Sequence, residues 1–378
     1  MVKIIHTADI HLDSPFSLFD AQKAQARKNE LRGVFSSLIM YAKTEEADMV
    51  LIAGDLFDSE YVTKETMEII TSQCASYPSC KFVIAPGNHD PADERGPYLK
   101  TLFPENVYIF DKEQLTKKSF DDIGVDVYGW GYEGGRDMYE NPIVNRKPVD
   151  PNKINILLAH ADITGKSNGT CPAITTSDID LSNCDYAALG HIHAGTEVKK
   201  AGKTYYAYSG CLEGRSFDEC GMKGAIVCNF EKENGEFKPE FVYKRFCRRR
   251  YEKFDLDVTA TESRTDVISK IKSELASRSI GKDTMLRVTL TGAVSPERDL
   301  HLDRISSDEV GVFYLEIKDK TLPLYSYEEL KNDLSVKGAL FRELLPLLES
   351  DDETERETAA QALRYGLAAL SGSDIVDF

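Results

Sequence analysis

Short runs of β-branched and other apolar residues punctuate the first 230 positions of the chain. They fall at 2–8, 48–53, 81–85, 155–159 and 186–189, and each ends at a turn signal, so each predicts a buried strand. Between the first two runs, Leu31, Val34, Phe35, Leu38, Ile39 and Ala42 recur at helical spacing. A second helix is predicted over 64–75. Strands alternating with helices predict an α/β sheet covered by helices. The stretch 204–230 is richer in strand formers, with Tyr205, Tyr206 and Tyr208 ahead of a second apolar run.

The pattern changes near residue 235. Residues 231–238 are polar and turn-like, and 244–253 (KRFCRRRYEK) carry six basic residues in ten. A smaller β-α-β-α-β run follows, with strands at 254–258, 285–291 and 312–317 and helices at 263–277 and 296–305. From Ser326 the pattern is helical. Ser350 and Glu353 read as a capping box ahead of a helix in which Ala359, Leu363, Leu367 and Leu370 share a face. The expected organisation is a catalytic domain over 1–240, a small α/β capping domain over 241–322 and a helical segment over 323–378.

Composition narrows the class. Hydrophobic residues at 42% and charged residues at 29% are a globular mix. The formal charge of −17 argues against a free-standing nucleic-acid binder, because phosphate contacts need concentrated Lys and Arg. No apolar run approaches the roughly 20 residues of a membrane helix, and the first residues enter a strand rather than a leader peptide. The eight cysteines show no paired spacing and read as reduced thiols of a cytoplasmic protein. The basic stretch 244–253 fits two readings, a phosphate-tracking patch and the charged face of an edge strand. The acidic run 349–357 reads as a solvated helix start.

The chemistry sits where the strands end. Five of the seven histidines lie directly after the buried runs. Asp9-Ile-His11 follows the first, Gly54-Asp55-Leu-Phe-Asp58 the second and Gly87-Asn88-His89-Asp90 the third. His160 ends the fourth, and Gly190-His191-Ile-His193 the fifth. The carboxyl ends of strands in an α/β sheet are where ligand sites form, so these donors converge. D-x-H and H-x-H put two donors on one side of an extended chain. Glycine before Asp55, Asn88 and His191 lets the backbone turn and approach closely. An all-oxygen and nitrogen set suits Mn, Fe or Zn, and two such ions form a clamp for phosphoryl transfer. Asp13 and Asp90 are expected beside these cations with Asp9, Asp55 and Asp58. Glu213 and Arg215 are expected to pair or to orient the His-x-His loop, with a phosphate contact as the other role for Arg215.

D-x-H … G-D-x-x-D … G-N-H-D … H … G-H-x-H, present in order over residues 9–193, resembles the signature of calcineurin-like metallophosphoesterases. The resemblance implies a four-layer α/β/β/α sandwich followed by a small α/β cap and C-terminal helices. It implies two divalent ions, with Asp9, His11 and His193 on one, Asn88, His160 and His191 on the other, and Asp55 between them. His89 would lie over the scissile phosphate. Asp58 stands where purple acid phosphatases carry a Tyr ligand, and GDLFDSE and PGNHD differ from the Ser/Thr phosphatase motifs.

The segments at 11–16, 54–58 and 208–218 are most similar to the DNA-repair nuclease branch, of the SbcD and YhaO-like type. Archaeal and eukaryotic members of that branch carry a His at the position of Asp58, where it assists exonuclease cutting. The implied function is a Mn²⁺-dependent DNA exo/endonuclease subunit of an SbcCD-like repair complex, in which a metal-bridging hydroxide attacks the phosphodiester. The implied partners are DNA, a coiled-coil ATPase of the SbcC or YhaN type and a second copy of the chain, with no membrane. A small-molecule phosphodiesterase or phosphatase, and a scaffold subunit for the ATPase, are the competing readings.

Overall fold

The protein is described by a computed structural model, covering residues 1–59, 61–134, 141–145, 149–164, 171–259, 261–294, 302–323 and 326–370. It divides into two compact units, Met1–Arg250 and Tyr251–Phe378.

The first unit opens with β1 (Val2–Thr7), α1 (Ala21–Thr44), β2 (Met49–Ile52), α2 (Lys64–Ala75), β3 (Lys81–Ile84), α3 (Pro97–Lys100) and β4 (Val107–Ile109). It continues through β5 (Thr116–Phe120), β6 (Val125–Gly129), β7 (Ile154–His160), α4 (Thr176–Leu181) and β8 (Tyr186–Gly190). β9 (Lys199–Ala201), β10 (Thr204–Tyr208), β11 (Gly224–Glu233) and β12 (Glu236–Arg245) complete it. The strands form two six-stranded sheets, in the orders β12-β11-β1-β2-β3-β4 and β5-β6-β7-β8-β10-β9.

The apolar runs are continuous because both faces of each central strand are covered. On β1 to β3, Ile5, Val50, Ile52, Phe82 and Ile84 face the layer that holds α1 and α2. Their neighbours Ile4, Met49, Leu51 and Val83 meet Val127, Ile156, Leu158 and Ala188 of the other sheet. Behind that sheet Leu157, Ala159 and Leu189 pack with Ile179 of α4. The result is the expected α/β/β/α sandwich. The parallel runs β1-β2-β3 and β7-β8 end at the same edge of their sheets, which gathers five strand ends.

Three local readings change. α1 begins ten residues before its apolar stripe, capped by Asp20, whose side chain accepts from Lys23 N. Its early buried positions are the charged Arg27 and Glu30, so hydrophobic periodicity misses that half. The polar stretch 231–238 is a two-residue hairpin, because β11 and β12 pair up to Glu233 and Glu236. Only Asn234 and Gly235 turn, both at positive φ (52° and 81°), as an Asn-Gly hairpin requires. Of the basic stretch, Lys244 and Arg245 end an edge strand and Arg249 is buried.

The second unit contains β13 (Arg250–Asp257), α5 (Arg264–Ser277), β14 (Thr284–Thr291), β15 (Ala293–Val294), α6 (Ser307–Val310), β16 (Tyr314–Asp319) and β17 (Leu322–Pro323). A three-stranded sheet, β13-β14-β16, packs Leu286, Val288 and Leu290 against Val267, Ile271 and Leu275 of α5. Most of the helix expected at 296–305 lies outside the described residues, as do His301 and 371–378; its described end is a 3-10 turn at Leu302–Arg304. The next helix, α6, starts at a capping box made by Ser306 and Glu309.

α7 (Tyr327–Asn332), α8 (Val336–Leu348) and α9 (Glu353–Leu370) follow. Phe341 packs with Leu330, Leu363 and Leu367. The expected Ser350/Glu353 box does not form. Asp352 Oδ1 accepts from Thr354 N at 2.8 Å, and Ser350 Oγ donates to Glu355 instead. Among the described residues no helix is long and apolar enough to cross a membrane.

Candidate metal centre

The loops after β1 and β2 run side by side. Asp9 N donates to Gly54 O (3.0 Å), His11 N to Asp55 O (2.9 Å) and Leu12 N to Leu56 O (2.9 Å). Within them Asp9, His11, Asp13 and Asp55 adopt left-handed backbone at φ 50–64°, and His191 lies at 100°. Each costs on the order of 1–3 kcal/mol, and such strain clusters where geometry serves function. Gly54 serves as turn and as space: it lies at φ 90°, and a Cβ there would occupy the His160 ring, whereas one on Gly190 would meet the Ala53 carbonyl.

All seven expected ligands come together at the strand ends, in two overlapping groups. In the first half, His160 Nδ1 lies 3.0 Å from the Ala53 carbonyl. A carbonyl only accepts, so Nδ1 carries a proton. Nε2 faces two acceptors, Asn88 Oδ1 at 3.0 Å and Asp55 Oδ2 at 3.4 Å, and although burial opposes it, the carboxylates of Asp55 and Asp9 raise the pKa of His160, so that a proton or a metal ion fills this position. The His191 ring stands 5.2 Å from that of His160, centre to centre. In the second half, His193 Nδ1 lies 2.7 Å from Glu219 Oε1 and 3.2 Å from Arg215 Nη2; the shorter contact is to a carboxylate, which only accepts, so Nδ1 carries the proton and Nε2 is left as a lone pair. It meets His11 Nε2 at 3.2 Å.

Asp55 Oδ2 is 3.6 Å from His11 Nε2, so one carboxylate oxygen faces both halves. Asp9, His11 and His193 place ligand atoms within 4.8 Å of one another, as do Asp9, Asp55 and His160. Lone pair on lone pair in a buried site is unfavourable unless a cation lies between them, so this donor set fits divalent metal. Burial drives His11 and His191 down to about 4 and raises Asp9. Burial also works to raise Asp55, but the imidazoles of His160, His11 and His89 outweigh it and hold that carboxyl down.

The other expected residues take several places, and two of them, Asp58 and His89, bring ligand atoms within 4.8 Å of one another and of His11. His89 donates its amide to Asp55 Oδ1 (3.0 Å), and its Nδ1 lies 3.1 Å from Asp58 O. Asp58 is occupied: its Oδ1 accepts from Arg215 Nη1 at 2.8 Å and stands 3.3 Å from His11 Nδ1. Asp13 and Asp90 do not line the centre. Asp13 is held by Arg32, Thr63 and Thr66, tying the first loop to α1 and α2. Asp90 accepts from Gly87 N, Phe57 N and Tyr98 Oη, fixing the third loop from beneath. Glu213 and Arg215 do not pair; Glu213 binds Arg27, and Arg215 binds Asp58 and Glu219. Sequence reasoning passed over Glu219 and Tyr98. Glu219 lies one residue beyond the 208–218 stretch, and nothing in its spacing points to His193.

Two donor groups sharing one carboxylate are the arrangement dinuclear hydrolases use. The calcineurin-like phosphoesterase profile matches residues 2–195, and the chain belongs to that family. Family membership carries dependence on two metal ions, which the donor set above meets. Among curated relatives, the chain is 29% identical over 317 residues to the uncharacterized metallophosphoesterase YhaO of Bacillus subtilis (strain 168), covering 81% of this chain and 75% of that protein. It is 26% identical over 265 residues to the D subunit of the SbcCD nuclease of Staphylococcus epidermidis, covering 61% of this chain and 66% of that protein. Among solved structures, TT1561 of Thermus thermophilus aligns with 63% of this chain and 98% of its own, at 12% identity and a TM-score of 0.36.

Proposed function

We propose that the chain is a dinuclear-metal phosphodiesterase that cuts DNA, with Mn²⁺ as its metal and a coiled-coil ATPase of the SbcC or YhaN type as its partner. The observation that carries the reading is Asp55 Oδ2, poised between His160 Nε2 at 3.4 Å and His11 Nε2 at 3.6 Å. Asp9, His11 and His193 would hold one ion, Asn88, His160 and His191 the other, with Asp55 shared between them. Bound in this way, the ions supply a water of lowered pKa and positive charge for the phosphate oxygens.

The chain's own residues do the rest. His89 keeps Nδ1–H on the Asp58 carbonyl, so in its imidazolium form the second N–H, on Nε2, would pass its proton to the leaving oxygen and leave a neutral ring. Asp9 and Asp90 act as braces through their backbone amide partners. The guanidinium in contact with the site, Arg215, is already engaged by Asp58 and Glu219, so it does not balance the second charge of a phosphomonoester. That favours the singly charged diester. The nuclease name of the Staphylococcus relative supports DNA as the polymer.

The test is hydrolysis of bis-p-nitrophenyl phosphate and of linear and single-stranded DNA by purified protein, with and without Mn²⁺. Cutting should be lost by about 10²–10⁴-fold in His89→Ala while metal uptake is kept. Cleavage of monoesters or mononucleotides but never of DNA, even with the ATPase present, would sink the nuclease reading.

A further inference from the structure

The two halves of the centre are held differently. His160 leans on a backbone carbonyl, whereas His11 and His193 have carboxylate side chains behind them, Asp58 and Glu219. One side chain joins those two carboxylates. Arg215 Nη1 donates to Asp58 Oδ1 at 2.8 Å, Nη2 donates to Glu219 Oε1 at 2.8 Å, and Arg215 N donates to Glu219 Oε2 at 2.7 Å. The planar fork of a guanidinium fixes both carboxylates in one plane, which an ammonium does not do.

His11 depends on this more than His193 does. It is fully buried, and its contact with Asp58 is not aligned as a hydrogen bond, so Nδ1 has no hydrogen-bond partner among the described residues. The direction in which His11 presents Nε2 therefore follows the placement of the Asp58 charge, and Arg215 sets that placement.

We propose that Arg215 is the positioning residue of the His11/His193 half. By spanning Asp58 and Glu219 it aims both Nε2 lone pairs at one cation, and it sets the affinity of that half alone without touching substrate. This rests on the reading above that two cations bind here. The alternative assignment, a phosphate contact from Arg215, requires a guanidinium edge that these carboxylates already hold.

Mn²⁺ titration followed by calorimetry, with electron paramagnetic resonance to detect coupling between two ions, tests the proposal without any substrate. Wild type should take up two ions and give a coupled signal. Arg215→Leu should keep one ion at wild-type affinity and weaken the other by about 10–100-fold, so that an isolated-ion signal appears at Mn²⁺ levels that saturate wild type. Arg215→Lys should fall between them. Arg215→Leu brings two carboxylates face to face, so Glu219→Gln provides a milder variant. It keeps an acceptor for His193 and should show a smaller loss in the same half. Asn88→Ala should weaken the other ion instead.

The proposal is overturned if Arg215→Leu and Glu219→Gln both bind two ions as wild type does. It also falls if both ions weaken together with a drop in Tm, which would make Arg215 a general brace. A rise in KM for bis-p-nitrophenyl phosphate at unchanged metal affinity would place Arg215 on the substrate and overturn it too. Wild type that binds two ions and cuts no DNA overturns only the DNA reading; wild type that binds fewer than two overturns both.

Discussion

Compared with each other, two clusters of buried charge in the first unit prove to be built on opposite rules. In one, Arg27, Glu30, Glu213 and Arg249 alternate in sign. Glu30 meets Arg27 and Arg249, with Arg249 Nη2 at 2.6 Å from Oε1, and Arg27 reaches on to Glu213 at 2.8 Å. The amides of Arg248 and Arg249 fill the remaining positions on Glu213. Every charge has its opposite, and although burial works to raise Glu30, the two guanidiniums outweigh it and hold that carboxyl below its usual range. In the other cluster, once the inward ring nitrogens give up their protons, acceptors face acceptors: His160 against Asn88 and Asp55, and His11 against His193. The first is complete as folded and ties α1 to the chain near residues 213 and 249. The second is incomplete by construction, and what it lacks is positive charge. Burial of charge therefore means stability in one place and ligand binding in the other, and the arrangement of signs separates them.

The largest expected effect attacks the incomplete cluster. Asp55→Asn should bring diester hydrolysis to background. It should also abolish the metal-dependent rise in stability, which for wild type reaches about 2.7 kcal/mol at one hundred times the Kd. Measured by thermal melts, the variant should unfold at the same temperature in EDTA and in Mn²⁺. An Asp55→Asn protein that still gains stability from Mn²⁺ would erase the contrast between the clusters.

The complementary change, Glu30→Gln, should cost about 3–5 kcal/mol in urea unfolding, because it leaves buried guanidiniums unpaired. Mn²⁺ uptake should not change. If uptake falls as well, the two clusters are one system. A smaller effect is expected at the support between them and the loop: Tyr98→Phe removes the 2.6 Å bond to Asp90 and should cost about 1.5–3 kcal/mol in the same experiment, with both ions still bound.

How much of this was legible in the sequence follows from how each feature is encoded. The central strands and the seven donors were readable because each strand is a local apolar run and each donor sits immediately after one. Their order predicted an α/β sheet covered by helices, and the four-layer sandwich came with the family resemblance. What joins residues far apart was not readable. Arg249 looked like part of a surface patch, yet it is spent on Glu30, 219 positions earlier in the chain. Asp13 and Asp90 were grouped with the ligands because they share their motifs, but their side chains point to Arg32 and Tyr98. Glu219 carried no signal, because only the folded loop brings it to His193. The polar start of α1 was missed for the same reason: its burial is electrostatic, and hydrophobic periodicity cannot detect it.

His6 offers the finest test, because it is a buried titratable group belonging to neither cluster. Leu189 O can only accept, so Nε2 donates to it and Nδ1 accepts from Tyr186 Oη at 2.8 Å. This neutral ring is satisfied by neutral partners, a third way of burying a polar group. Burial drives its pKa from an ordinary 6.5 down to about 3. The unfolded chain therefore takes up a proton that the folded chain refuses, and unfolding gains protons throughout that window. The contribution to stability is whole above about pH 6.5 and is lost progressively as pH falls toward about 3. Glu30, with its depressed carboxyl, acts in the same direction but only below the ordinary carboxylate range. In EDTA, urea unfolding of His6→Gln between pH 7 and 5 should therefore be flatter than that of wild type, while Glu30→Gln should keep the wild-type slope there. An unchanged slope in His6→Gln would assign the acid sensitivity of the metal-free protein to the opposed acceptors of the centre, the cluster that a proton can also relieve.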